Sequence, residues 1–266
     1  MRRLFLAAWL IVCCASCRQT NVPPRARLRV AAAADLNAAF GEIASRFESS
    51  HPVDVDVTYG SSGTLYSQLA NEAPFDLFFS ADVDYPQRLA RAGLTLPDGA
   101  FEYGVGRLVV WVAGSSPLDV AGLGVRALSD DGVRHVAIAN PAHAPYGRAA
   151  IAALTSEHLD ARVAPKLVYG ENVGQALQFV QSGAADAGIV ALSLALTPAG
   201  KSGRWFEIPQ ADYPPLRQGG AILKWAVDPA AARALRDLVV GAEGRSILQR
   251  YGFSPPAGQP PAPHVT

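Results

Sequence analysis

Val53-Asp54-Val55-Asp56-Val57-Thr58-Tyr59-Gly60-Ser61-Ser62-Gly63-Thr64 settles the fold class. Its first half alternates valine with aspartate or threonine, the period-two pattern of a strand with one buried face. Its second half is glycine and serine, the chemistry of a tight strand-to-helix junction. Upstream, Leu36, Ala39, Phe40, Ile43 and Phe47 recur at helical spacing, and the short apolar run at 28–33 before them fits a buried strand. Downstream, residues 64–71 read as a short helix, 76–80 as a third strand and 85–92 as another helix. This βαβαβα order predicts a mostly parallel sheet with helices on both faces.

A second α/β set follows without any internal sequence repeat. Residues 107–113 form a long apolar strand able to cross between lobes. Strands are predicted at 136–139, 166–169 and 187–190, with helices at 147–154 and 173–181 between them. A late strand is predicted at 221–227, then a helical region at 229–251 interrupted at Gly241. Two lobes of about 100 residues each match the ordinary size of domains.

Composition narrows the function classes. Half of the 266 residues are hydrophobic and 17% are charged, which gives ample core and argues against a disordered chain. The 23 basic and 23 acidic residues balance, without the basic excess of a nucleic-acid binder. Cysteine occurs only at 13, 14 and 17, so the body has neither a disulfide framework nor a cysteine zinc site.

Arg2 and Arg3 precede a 12-residue apolar run at 4–15. At about 1.5 Å per residue that run is too short for about 30 Å of hydrocarbon, and it reads as an export signal over 1–16. Cys14-Ala15-Ser16-Cys17 resembles a bacterial lipobox, which makes Cys17 a lipid attachment point and a membrane anchor. An ordinary signal peptide with a fortuitous cysteine is the alternative. Loss of 1–16 leaves 21 basic against 23 acidic residues, a net charge of −2. Residues 17–27 read as a tether, and the five prolines of 254–266 as a disordered tail.

Four strand-to-helix junctions stand out, at 31–36, 59–64, 140–147 and 170–173, two from each half of the chain. Open α/β sheets bind ligands at strand carboxyl ends, where helix N-termini present free N–H groups suited to anions. Each junction also has a plain reading. Ser61, Ser62 and Asp35 fit helix N-caps, His143 fits a surface loop, and Arg148 a solvated helix position. Neither serine has glycine both two residues before and two residues after it, no H-E-x-x-H occurs, and Gly104-Val105-Gly106 lacks a third glycine. Hydrolase, zinc-protease and dinucleotide signatures are thus missing, and the expectation is no enzyme and no cofactor.

The ordered set VAAAADL (30–36), GSSGTL (60–65), DLFFSAD (76–82), NPAHAPYG (140–147), ENVGQAL (171–177), GIV (188–190) and RYGF (250–253) resembles the periplasmic molybdate-binding proteins of ABC importers. The resemblance covers nearly all of 28–253. It implies a two-lobed type II periplasmic-binding-protein-like fold, with lobe one at 28–104 plus 219–253 and lobe two at 105–218. It further implies a monomer that holds molybdate or tungstate between the lobes, without direct metal ligation, and delivers it to the membrane subunits of a permease. By that resemblance Ser62 donates through hydroxyl and amide, and Tyr146 and Val173 through their amides; Ser61 is a further hydroxyl donor offered by the junction itself. Asp35 stands where the family has a ligand serine, and Ala191 where it has a ligand tyrosine. The missing hydroxyl then falls to Tyr146 or Ser193. If Asp35 caps its helix, the molybdate reading holds, and this is the geometry expected. If it faces the ligand, a protonated oxyanion such as phosphate or arsenate is favoured. Sulfate is a further alternative.

Overall fold

The computed structural model describes residues 25–258. The export signal and Cys17 lie outside the described residues. Ten strands form two five-stranded sheets: β1 (Ala26–Ala33), β2 (Val53–Gly60), β3 (Leu77–Ser80), β4 (Thr95–Gly106), β5 (Leu108–Ala113), β6 (Val136–Ala139), β7 (Leu167–Gly170), β8 (Ala187–Ala191), β9 (Gly203–Glu207) and β10 (Leu216–Leu223). The first sheet has the order β2-β1-β3-β10-β4 and the second β7-β6-β8-β5-β9. In each, four strands run one way and one, β10 or β5, runs against them. The chain passes between the sheets at Arg107 and again over 208–215.

Period-two alternation sorts the first sheet's side chains to two faces. Val30, Ala32, Phe79 and Ile222 pack with Phe40, Ile43 and Phe47 of the Asn37–Ser50 helix and with Leu235 and Leu248 of the two C-terminal helices. Ala31, Phe78 and Leu223 face the other way, against Leu65, Leu69 and Leu89 of the Ser62–Ala70 and Asp84–Arg91 helices. Phe47 is fully buried, which stabilises by roughly 1.5–3 kcal/mol over an exposed side chain.

Two strands escaped the sequence reading, and both are sheet edges. β4 carries Pro97, Gly99, Gly104 and Gly106, and β9 opens on Gly203. Edge strands tolerate proline and glycine because one side of their ladder is unpaired. The late strand also needs correction. It spans Leu216–Leu223, not 221–227, so Gln218-Gly219-Gly220 belongs to the strand. Gly220 is required by close approach, since a Cβ there would sit 2.4 Å from the Phe101 ring. The reading of a tail from 254 is corrected at its first residue. Ser254 exchanges two backbone hydrogen bonds with Val105, at 2.8 and 2.9 Å.

Strand register positions the junctions. Ala33 pairs with Gly60 at the carboxyl ends of β1 and β2, which sets Asp35 beside Ser61 and Ser62. Ala139 pairs with Gly170 in the second sheet, which sets the 140–147 loop beside Asn172 and Val173.

Candidate functional site

A small pocket between the lobes is lined by Asp35, Ser61 and Ser62 from one side and Tyr146, Asn172 and Val173 from the other. Its cavity volume is about 10 Å³, room for about one water, so the lobes are closed on each other. No lysine or arginine lines it. Three helices begin at its wall, Ser62–Ala70, Pro145–Ser156 and Val173–Gln181, and their first-turn amides bring positive potential to it. A larger depression of about 740 Å³ lies between the Asn37–Ser50 and Ala242–Arg250 helices, but it is open to solvent and its Arg46 and Arg250 are ion-paired to Glu243 and Glu42.

Asp35 does not cap a helix, which corrects the expected geometry. It sits in the Ala34–Leu36 turn that ends β1, 1% exposed, and makes no capping hydrogen bond. Its Oδ2 accepts from Tyr146 Oη at 3.0 Å and from Gln218 Nε2 at 2.5 Å. Its Oδ1 is buried without a hydrogen-bond partner. Burial raises its pKa to about 6, against the lowering effect of the Gln218 and Tyr146 hydrogen bonds. Burial, with the Asp35 carboxyl beside it, also holds the Tyr146 phenol well above its ordinary value.

The serines do not cap either. Ser61 Oγ donates to the His143 carbonyl at 2.6 Å, across the interlobe boundary, and His143 Nδ1 lies 2.9 Å from the same Oγ. Ser62 Oγ accepts from the Ala81 amide at 2.9 Å, which orients the hydroxyl. Val173 opens its helix behind Asn172, whose side chain caps it by accepting from the Gln175 amide at 3.1 Å. Neither residue offered as the source of the missing hydroxyl has one free. The Tyr146 hydroxyl is held on Asp35, and Ser193 Oγ donates to the Asp35 carbonyl at 2.7 Å. Ala191 ends β8, fully buried.

Two plain readings change as well. His143 does not project from a loose loop, because its carbonyl also accepts from the Gly63 amide at 2.9 Å. Arg148 reaches across the cleft to Asp82 at 2.6 Å. The sequence reading missed Gln218 and Tyr103. Gln218 is fully buried on β10, and Tyr103 Oη lies 2.8 Å from its Oε1 and 3.0 Å from the Ser80 carbonyl. A glutamine inside a Gly-rich run gave no signal of burial. Gly106, at the crossing, makes room for this network. A Cβ there would lie 2.2 Å from Tyr146 Oη and 2.6 Å from Gln218 Nε2.

The arrangement sets oriented amides, a hydroxyl and a buried carboxyl around the pocket, with Ser61 against His143, whose Nε2 lies 3.6 Å from Glu171. Residues 28–254 match the sequence profile of the family described as bacterial extracellular solute-binding protein. The molybdate-binding protein ModA of Azotobacter vinelandii is 37% identical over 250 residues, covering 93% of this chain and 94% of that protein. ModA of Rhodobacter capsulatus is 35% identical, covering 84% and 86%. The solved structure of the Azotobacter vinelandii periplasmic molybdate-binding protein superposes with a TM-score of 0.80 at 34% identity, covering 86% of this chain and 99% of that one.

Proposed function

The chain belongs to the bacterial extracellular solute-binding proteins and has their two-lobed periplasmic-binding-protein fold, and we propose that it binds molybdate or tungstate between its lobes for an ABC import permease. The observation that carries this reading is the convergence of three helix N-termini on a buried pocket lined by no cationic side chain. A dianion can be buried among neutral dipoles when each of its oxygens is satisfied. Ser62 supplies a hydroxyl and an amide, and Ser61, Tyr146 and Val173 supply backbone N–H groups. Lobe closure then excludes water and strengthens each of these bonds. The closed form is what a permease recognises. Export by the 1–16 segment, anchoring through a lipid on Cys17, and action as a monomer complete the reading.

A second reading has a specific observation in its favour. Asp35 lines the pocket instead of capping, and a carboxylate acceptor suits phosphate or arsenate, which carry a proton near neutrality. Thermal unfolding with molybdate, tungstate, sulfate and phosphate separates the two. A ligand at 100 times its Kd stabilises by about 2.7 kcal/mol. A shift with phosphate and none with molybdate selects the second reading, and no shift with any oxyanion refutes both.

A further inference from the structure

The pocket's inventory of side-chain donors is nearly spent before a ligand arrives. The Tyr146 hydroxyl is held by Asp35, the Ser61 hydroxyl by the His143 carbonyl, and the Ser193 hydroxyl by the Asp35 carbonyl. Ser62, the Asn172 side-chain amide and the helix-start amides are what remain. Against them stands one buried carboxyl whose Oδ1 has no partner. An ionised carboxylate cannot donate there, and it repels an anion in a pocket with no cation to offset it. A neutral carboxyl does the reverse, presenting an O–H to an anionic oxygen.

We propose that Asp35 takes up one proton from solvent when an oxyanion enters and donates it as a hydrogen bond from Oδ1, which makes it the specificity-determining group of the pocket. This rests on the oxyanion reading above. The proton's place follows from geometry. Oδ2 is occupied by two donors, Tyr146 Oη and Gln218 Nε2, so Oδ1 is the oxygen left to carry it. No other bond is made or broken.

The groups packed around Asp35 leave it as the titrating centre. Tyr146 comes from the Pro145–Ser156 helix, Gln218 from β10, Tyr103 from β4 behind Gln218, Ser193 from the Leu192–Ala195 turn, and Asn172 and Val173 from the facing helix start. Of these only the two tyrosines titrate, and burial holds both phenols well above their ordinary value. His143 engages Ser61 and Glu171. Burial already raises Asp35 to about 6 in the closed protein, and an anion at Oδ1 raises it further.

Proton uptake gives the anion a preference for low pH. Above the free protein's Asp35 pKa, affinity falls about tenfold per pH unit until the complex itself releases the proton. Molybdate is fully deprotonated from pH 6.5 to 8.5, so a slope in this range belongs to the protein. Calorimetry on the full chain at pH 7.5, in two buffers of different ionisation enthalpy, counts the protons. The expected result is close to one proton taken up per molybdate, with affinity falling about a hundredfold from pH 6.5 to 8.5. Asp35→Asn, which donates through its amide at every pH, should flatten that slope. Molybdate binding that takes up no proton and has a flat pH profile overturns this inference and leaves the proposed function standing. No heat or stabilisation with molybdate at any pH overturns the proposed function itself. The buffer comparison uses the unmodified protein, so it decides the matter even if Asp35→Asn does not fold.

Discussion

Replacing Asp35 by asparagine measures the cost of burying a charge at the centre of the closed form. Burial raises the carboxyl from 3.8 to about 6. The folded state therefore holds a proton that the unfolded state has lost between those two values. Well below pH 3.8 both states are protonated and Asp35 costs nothing; the cost grows as the unfolded state loses its proton above 3.8 and is complete once pH passes about 6. A shift of about two units at about 1.4 kcal/mol each amounts to roughly 3 kcal/mol, with little solvent discount because the group is 1% exposed. Asparagine keeps an oxygen for Tyr146 and Gln218 but places an amide where Oδ1 stood, and an unpartnered buried donor costs about 1–3 kcal/mol at every pH. The absolute stability of the variant thus mixes two effects, whereas its pH dependence isolates one. Urea unfolding of both proteins without ligand, at pH 4.5 and pH 8, gives the difference at each pH. The variant should gain roughly 2 kcal/mol relative to the native chain between the two. A difference that is the same at both pH values refutes the assignment of a buried, desolvated charge to Asp35.

Three further perturbations test the surrounding framework. Gly106→Ala drives a methyl into Tyr146 Oη and Gln218 Nε2 and should weaken oxyanion binding at least tenfold by calorimetry, since a hydrogen bond to a charged group is worth about 1.5–3 kcal/mol; unchanged affinity refutes the crossing's role. Arg148→Ala removes a partly exposed ion pair between the lobes and should cost no more than about 1 kcal/mol of binding, less at high salt. Stopped-flow dissociation that keeps the same salt dependence counts against the pair. Asp76→Ala strips the buried acceptor of the Arg29 and Val227 amides, at 2.7 and 2.8 Å, and should lower stability by about 2–4 kcal/mol in urea unfolding; a loss under 1 kcal/mol refutes it.

How much was legible depended on whether the information was local. The helix at 173–181 and the strand at 136–139 were read at their observed bounds, because periodicity and flanking turn residues lie within the segments themselves. Pairing information is not local. β4 and β9 have weak alternation because only one side of each must be satisfied, and β10 hides a buried strand behind Gly219 and Gly220. The same distinction governs the site. That strand ends and helix starts gather there followed from element order. The direction of the Asp35 side chain did not, because its partners lie 111 and 183 residues away. A residue type that caps helices well was drawn instead to a phenol and an amide that the sequence gives no reason to place beside it.

The position of β10 between β3 and β4 also orders events in time. Residues 108–207 contain all five strands of the second sheet in one uninterrupted run. The first sheet has no such independence: β4 pairs with β10 and, at Val105, with Ser254, both of which the chain supplies after the whole second lobe. A chain emerging from its N-terminus thus carries β4 as an unpaired ribbon for more than 100 residues of synthesis or translocation. The lobe that starts first finishes last.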